Sequence, residues 1–345
     1  MIQIKPYNNV SVIVPCLNEA NYIKSFLDSL LSQELDEIKL EVIIADGMSN
    51  DGTRDVLETY CKNHPEVRLI DNPAGIVSTG LNAAIGIAQG EIIIRMDVHT
   101  EYAPDYIYQC CNILKETGAD NVGGAWRAAG KTYLQKAIAL AFQSPCSSGG
   151  AASHFLEKEG TVDSVYLGCW NKQIFNKIGL FDPELVRNQD DELNLRITRF
   201  GGRIWQSRKI RSWYYPRSSL RALFKQYCQY GYWKVRVIQK HKIPAAIRHL
   251  IPGGFVASLI VLGALSPFYD LGLWLFKLLV NLYIFANLTA SLVTCRKQSL
   301  VKFLPIMPFV FFIYHFAYGY GFLRGLLDFI LLKKKGSNAF TTISR

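Results

Sequence analysis

Three apolar stretches crowd the C-terminal third of the chain: "LIPGGFVASLIVLGALSPF" (250–268), "LGLWLFKLLVNLYIFANLTASLV" (271–293) and "FLPIMPFVFFIYHFAYGYGFLRGLL" (303–327). Each approaches the roughly 20 residues a helix needs to cross a hydrocarbon core of about 30 Å. A sequence like this is expected to be a membrane protein. The basic loop "CRKQSLVK" (295–302) and the "KKK" at 333–335 both belong on the cytoplasmic side, which three full crossings cannot satisfy. One segment, the Pro-broken and aromatic third, is therefore expected to be re-entrant or a hairpin.

Charge divides the chain in the same sense. Residues 1–192 carry 15 Lys and Arg against 26 Asp and Glu, whereas residues 193–345 carry 23 against 2. No acid occurs between Glu192 and Asp270, and aromatics from Trp205 to Trp233 are interleaved with the cations. Amphipathic rings and Lys/Arg settle together at headgroup depth, so an anionic membrane surface explains this stretch better than nucleic acid does. No nucleic-acid partner is expected. The first apolar run (10–17) is too short for a signal peptide and contains Pro15, so the acidic body is expected to remain in the cytoplasm. The eight cysteines are scattered without CxxC spacing, which argues against a zinc site or a disulfide framework.

Within the acidic body, short β-branched runs alternate with helical periodicity. "VSVIVP" (10–15), "EVIIADG" (41–47), "VRLIDN" (67–72) and "EIIIRMD" (91–97) read as strands, with helices between them. That order implies a mainly parallel sheet flanked by helices, whose ligands bind beyond the carboxyl ends of the strands. Each strand ends in polar residues there: Asn18 and Glu19, Asp46, Asp71 and Asn72, then Asp97 and His99. Turn chemistry explains any one of these; four together suit a metal-borne phosphate or a ribose. Neither GxGxxG nor GxxxxGK[ST] is present, which excludes the dinucleotide and P-loop arrangements.

The pieces "VSVIVPCLNEANYI", "IIADGMSNDGT", "GLNAAIGIAQGEIIIRMDVH", "IGLFDPEL" and "NQDDELNLRI", in that order, resemble the inverting glycosyltransferases of family 2. The "DxH" form, "RNQDDELN", and "YPRSSL" followed by "QYxxYGYWK" are most similar to succinoglycan-type bacterial exopolysaccharide glucosyltransferases. The resemblance spans roughly residues 8–235 and implies a GT-A nucleotide-diphospho-sugar transferase fold with C-terminal transmembrane helices. It implies that Asp46 bonds a uracil and that Glu19 and Asp97 lie near the nucleoside and ribose. Pro15, Asn18 and Asn82 belong to the same substrate-binding motifs. Asp97 and the residue two positions on, here His99, become the metal ligands. Imidazole suits Mn²⁺ better than Mg²⁺, so a divalent cation is expected, with Mn²⁺ favoured over Mg²⁺.

Aligned with the family's "ED-x-[DE]-L-x-x-R", "NQDDELNLRI" (188–197) places Asp190 on the catalytic base, with Asp191 as its rival and Gln189 where the family carries Glu. With one carboxylate fewer beside it, Asp190 ionises more easily than in an acidic pair. One base and one displacement imply inversion. "GCWNKQIFNKIGLFD" (168–182) is expected on the acceptor side, where Trp170 either stacks on a sugar or packs in the core. "QYCQYGYWK" (226–234) resembles the QxxRW segment of processive relatives, with Gln229 and Trp233 in register, Tyr232 in place of Arg, and Lys234 near a diphosphate. A basic interfacial helix is the alternative for that segment.

The expected organisation is a cytoplasmic catalytic domain over 1–240, with a basic aromatic interfacial segment near 203–248, then membrane-embedded helices over 249–335 and a tail over 336–345. The resemblance implies a multi-pass protein of the cytoplasmic membrane. It implies a UDP-sugar donor, UDP-glucose foremost, and a polyprenyl-diphosphate-linked saccharide acceptor, with other polysaccharide-assembly enzymes as further partners. Direct glycosylation of polyprenyl monophosphate or a membrane lipid is the nearest alternative. A non-catalytic membrane sugar-nucleotide sensor or scaffold is the alternative of another class.

Overall fold

A computed structural model describes residues 9–297 and 300–341; two residues of the 295–302 loop and the last four of the 336–345 tail lie outside the described residues. In chain order the elements are β1 (Asn9–Cys16), α1 (Ile23–Leu31), β2 (Lys39–Asp46), α2 (Thr53–Asn63), β3 (Val67–Asp71), α3 (Val77–Ile87) and β4 (Ile92–Arg95). There follow β5 (Thr100–Tyr102), α4 (Tyr106–Thr117), β6 (Asn121–Gly124), β7 (Arg127–Ala128), α5 (Tyr133–Phe142), α6 (Pro145–Ser148), β8 (Gly160–Thr161), β9 (Tyr166–Asn171) and α7 (Ile174–Ile178). The remainder is α8 (Gln189–Arg199), β10 (Ile204–Gln206), β11 (Ser212–Tyr214), α9 (Leu220–His241), α10 (Ile251–Leu265), α11 (Asp270–Lys297), α12 (Met307–Gly325) and α13 (Asn338–Thr341). Two compact units result: one runs to Arg127 and includes Ala151–Tyr214, and the other joins Ala128–Gly150 to the chain from Tyr215 onward.

The first unit is built on an eight-stranded sheet in the order β3-β2-β1-β4-β9-β6-β10-β8. The β3-β2-β1-β4 half is parallel, as β-branched runs separated by amphipathic helices require. Alternation along the strands feeds two apolar layers. Val12, Val14, Ile44 and Ile94 pack on one face beneath α1 and α4, while Ile13, Ile43 and Ile93 pack on the other with Leu81, Ala84 and Ile85 of α3. Gly90 lets the chain entering β4 touch β1, since a Cβ there would sit 2.5 Å from the Ser11 nitrogen. Register places Cys16 beside Asp46 and Asp46 beside Asp71, so the expected polar residues share one edge. The sequence pattern does not reveal β9, which runs antiparallel between β4 and β6 and turns the sheet mixed.

The second unit is helical. Residues 215–241 group with the C-terminal helices and not with the sheet. α9 and α12 cross backbone to backbone: a Cβ on Gly231 would lie 2.0 Å from the Tyr318 carbonyl oxygen, and one on Gly321 would lie 2.0 Å from that of Cys228. Ile247–Leu265 and Asp270–Lys297 are the two helices among the described residues long and apolar enough to cross a membrane, and they are 11% and 22% buried over their most apolar windows. The third apolar stretch behaves differently. Its helix α12 buries Met307, Val310, Phe311, Tyr314 and Ala317 within the unit.

Candidate active site

The first wall of the candidate site is two loops stitched together at the edge of β1 and β2. Asn18, at φ 54°, offers its backbone N–H to Ser49 Oγ at 2.7 Å, and its Oδ1 accepts from the Asn50 N–H at 2.9 Å. The Glu19 N–H donates to Thr53 Oγ1 at 2.6 Å. Asp46 is wholly buried at the end of β2, and its carboxylate accepts from Ser49 Oγ at 2.5 Å and from Arg54 at 3.2 Å. The same Arg54 Nη1 reaches Asp71 at 2.8 Å, so one guanidinium joins the carboxylates ending β2 and β3. Pro15 is a strand residue paired with Ala45.

The second wall follows β4. Arg95 and Asp97 form a two-point ion pair, Nε to Oδ1 at 2.9 Å and Nη2 to Oδ2 at 2.9 Å. Tyr102 Oη accepts from the Asp97 N–H at 2.7 Å, which fixes the backbone at that acid. His99 places Nε2 at 2.6 Å from Glu19 Oε2, and its ring meets Tyr22 edge-on at 4.6 Å. Burial and the Asp97 charge push the Tyr102 and Tyr166 phenols well above their ordinary range, so both stay neutral. Burial opposes the charge of Arg95, but Asp97 and then Asp190 outweigh it and hold the guanidinium charged.

The third wall is the first turn of α8. Asp190 is half-buried, and burial first, then the neighbouring Asp191, raises its proton affinity against the opposing pull of Arg95. The missing Glu that the sequence pattern emphasises is thus only part of the balance. The Asp191 N–H donates to Asp190 Oδ1 at 3.0 Å. α8 is seated by residues farther along it: Arg196 pairs with Glu192 at 2.8 Å and donates to the Leu180 carbonyl at 2.7 Å, and Asn194 accepts from Asn121 Nδ2 at 2.8 Å.

Two residues expected among the substrate contacts are engaged by the protein itself, Trp170 in the second of its two expected roles. Trp170 is 1% exposed and packs edge-on to Phe181 in the core of the sheet, because β9 turns its side chain inward; core packing is its role. Asn82 spends both ends of its amide on Phe181, donating to the carbonyl at 2.7 Å and accepting from the N–H at 2.9 Å, so it clamps the "GLFDP" turn. Gln229, Trp233 and Lys234 are buried in α9 of the helical unit, where Trp233 Nε1 donates to the Phe340 carbonyl at 3.0 Å. Tyr232, at the position of the family's Arg, donates to Asp328 at 3.0 Å and stacks on Phe340.

Sequence reasoning missed Arg95, Tyr102 and an aromatic group in which Trp126 meets Tyr166 at 4.8 Å and Tyr214 at 5.7 Å. Only the R-x-D spacing at the end of β4 hints at the first. Among the described residues no group of three or more His, Cys, Asp or Glu forms a metal cage. One carboxylate and one imidazole at a strand end nevertheless suit a cation that brings its own phosphate oxygens and needs only one or two protein ligands.

Comparison with known proteins agrees with this arrangement. The pattern of Glycosyl transferase family 2 matches residues 11–168. The chain is 31% identical to the succinoglycan biosynthesis protein ExoA of Rhizobium meliloti over 92% of this chain and 95% of that one. It is 29% identical, over 96% of its length and 99% of the relative's, to a dolichyl N-acetyl-alpha-D-glucosaminyl phosphate 3-beta-D-2,3-diacetamido-2,3-dideoxy-beta-D-glucuronosyltransferase of Methanococcus voltae. The mannosyltransferase PcManGT of Pyrobaculum calidifontis, solved with GDP-Man and Mn²⁺, shares the fold with a TM-score of 0.58 at 19% identity, covering 92% of this chain and 87% of that one. A mixed, mainly parallel sheet with carboxylates along its ligand edge, and a relative matched over nearly its whole length, place the chain in glycosyltransferase family 2, as an inverting enzyme of GT-A fold.

Proposed function

We propose that the chain moves a hexose from a UDP-sugar, UDP-glucose foremost, onto a polyprenyl-diphosphate-linked saccharide during exopolysaccharide or other cell-surface polysaccharide assembly. The observation that carries this reading is Asp190: a half-buried carboxyl of raised proton affinity, at the start of a helix and within the field of the Arg95–Asp97 pair. Such a group is suited to take a proton from an acceptor hydroxyl. Asp190 removes that proton as the hydroxyl oxygen attacks the anomeric carbon. The bond to the diphosphate breaks on the opposite face, UDP departs, and configuration inverts. On this reading Asp46, with Ser49 and Arg54 around it, meets the base of the nucleotide, and Asn18 and Glu19 shape the adjoining loop.

A divalent cation accompanying the diphosphate would be held by Asp97 and His99, and the imidazole favours Mn²⁺ over Mg²⁺. When bound, such a cation neutralises charge growing on the leaving group. The chain's own part is orientation: Arg95 holds the carboxylate of Asp97 and Glu19 holds the ring of His99. The lipid-linked acceptor is supported by the name of the Methanococcus voltae relative, which acts on a dolichyl-linked sugar, and by the apolar pair α10 and α11, which suits anchoring in the cytoplasmic membrane with the sheet-bearing unit in the cytoplasm; the name of the Rhizobium relative supports exopolysaccharide assembly. Two crossings would also return the basic 295–302 loop to the side of the preceding basic helix. The test is transfer of labelled glucose from UDP-glucose in membranes supplied with defined polyprenyl-diphosphate saccharides. Transfer to polyprenyl monophosphate alone would replace this reading with direct lipid glycosylation.

A further inference from the structure

Two buried polar atoms beside Asp190 lack hydrogen-bond partners, and they are of opposite sense. Arg95 is 6% exposed; Nε and Nη2 are spent on Asp97, while Nη1 is buried with no acceptor. Gln189 is also 6% exposed, opens α8 one residue before Asp190, and buries its Oε1 with no donor. Arg95 lies within electrostatic reach of Asp190, and Gln189 precedes Asp190 in the first turn of α8. Buried donors and acceptors in folded proteins are almost always satisfied, so two of opposite sense in residues of one site call for a partner.

Resting on the glycosyl-transfer reading above, we infer that Arg95 Nη1 and Gln189 Oε1 recognise hydroxyl groups of the transferred sugar, the first by donating and the second by accepting. The chemistry selects the ligand. Diphosphate oxygens only accept, so they would satisfy Nη1 and leave Oε1 orphaned. A cation cannot accept from Nη1 and would leave that donor orphaned. A hydroxyl both donates and accepts, and a sugar presents several on one rigid ring. The Asp97 clamp fixes the plane of the guanidinium and with it the direction of Nη1, which a flexible Lys would not do. Gln189 adds an acceptor without adding a third carboxylate beside Asp190 and Asp191, as Glu would. Specificity of this kind is sharp, because a substrate lacking the matching hydroxyl leaves the buried group unpaired.

The test is calorimetric titration of the full-length chain in nanodiscs with UDP, UDP-glucose and UDP-glucose analogues each lacking one sugar hydroxyl, for wild type, Gln189→Met and Arg95→Lys. UDP alone carries no sugar and serves as the folding control. In wild type, removal of one hydroxyl is expected to weaken binding about tenfold, and Gln189→Met should weaken UDP-glucose by about the same factor with UDP unchanged and discrimination against that analogue lost. Arg95→Lys should lose discrimination at a different hydroxyl, in addition to the loss of UDP binding that follows from loosening the Asp97 carboxylate. The inference is overturned if both variants bind every analogue as wild type does, or if both weaken UDP and UDP-glucose in equal proportion. A wild-type chain that binds neither nucleotide overturns the transfer reading itself, and this inference with it.

Discussion

Arg95, the last residue of β4, and Asp97, just beyond it, form a two-point ion pair, both contacts at 2.9 Å, with the guanidinium side chain only 7% exposed. The pair joins two functions that the sequence presents separately. Asp97 ends a strand among the nucleotide-side acids, and Asp190 begins a helix far along the chain, yet the same guanidinium charge acts on both. In the proposed reaction a buried cation of this kind holds the leaving-group side and the base in fixed electrostatic relation.

The first prediction concerns the base. Asp190→Asn should lower transfer by about 10²–10⁴-fold while UDP still binds, since it removes proton acceptance and nothing else. Radiolabelled transfer together with UDP calorimetry checks it. Turnover equal to wild type would leave Asp191 as the base.

The second concerns pH. With Asp190 in the proposed role activity requires it ionised, and its folded-state pKa is raised by burial and by Asp191, so the acidic limb of the rate profile should lie above the ordinary carboxylate range. Asp191→Asn removes the like charge and should move that limb to lower pH. Linkage gives stability the opposite trend. The folded state binds this proton more tightly than the unfolded chain does, so Asp190 costs stability as pH rises from the ordinary carboxylate value through its raised one. Asp190→Asn should therefore melt higher than wild type at neutral pH, with the difference vanishing in acid, a trade of stability for activity.

The third separates support from contact at Asn82 and Trp170. Asn82→Ala leaves the Phe181 N–H and carbonyl without their partner and should cost about 1–3 kcal/mol of stability. Trp170→Ala should cost about 3–5 kcal/mol by emptying a core site. In conditions where either variant remains folded, KM for donor and acceptor should match wild type; a selective rise in acceptor KM for the tryptophan variant would return it to the acceptor site.

These residues also show where sequence legibility stops. The strands β1 to β4 and their carboxylate edge are legible because β-branched runs and period-two alternation are local, and so is the turn chemistry that follows them. Asp190 is legible only through resemblance, because Leu193 and Arg196 match the family's L-x-x-R and set the alignment. Trp170 and Asn82 are not, because their roles depend on β9 entering the sheet antiparallel and on a turn 99 residues from Asn82. Arg95 reads as an ordinary strand residue until its partners are in place. The basic, aromatic α9 suits a membrane surface by composition, but its grouping with α12 rests on glycines whose contacts lie about 90 residues away.

The last prediction follows from that crossing. Gly231 and Gly321 allow α9 and α12 to touch, and a methyl group at either would meet a carbonyl oxygen at 2.0 Å, too close for any rotamer change to relieve because the obstacle is backbone. Gly231→Ala must push the helices apart along a contact that also seats Tyr232 against Asp328 and Trp233 against the Phe340 carbonyl. The expected cost is about 1–3 kcal/mol, the usual penalty for forcing volume into a packed interior. Thermal unfolding of the detergent-solubilised chain should report a lower midpoint for Gly231→Ala, whereas Gly254→Ala, in α10 where a Cβ meets nothing within 4 Å, should unfold as wild type does. Equal midpoints for the two variants would mean that α9 and α12 do not cross as closely as their glycines indicate.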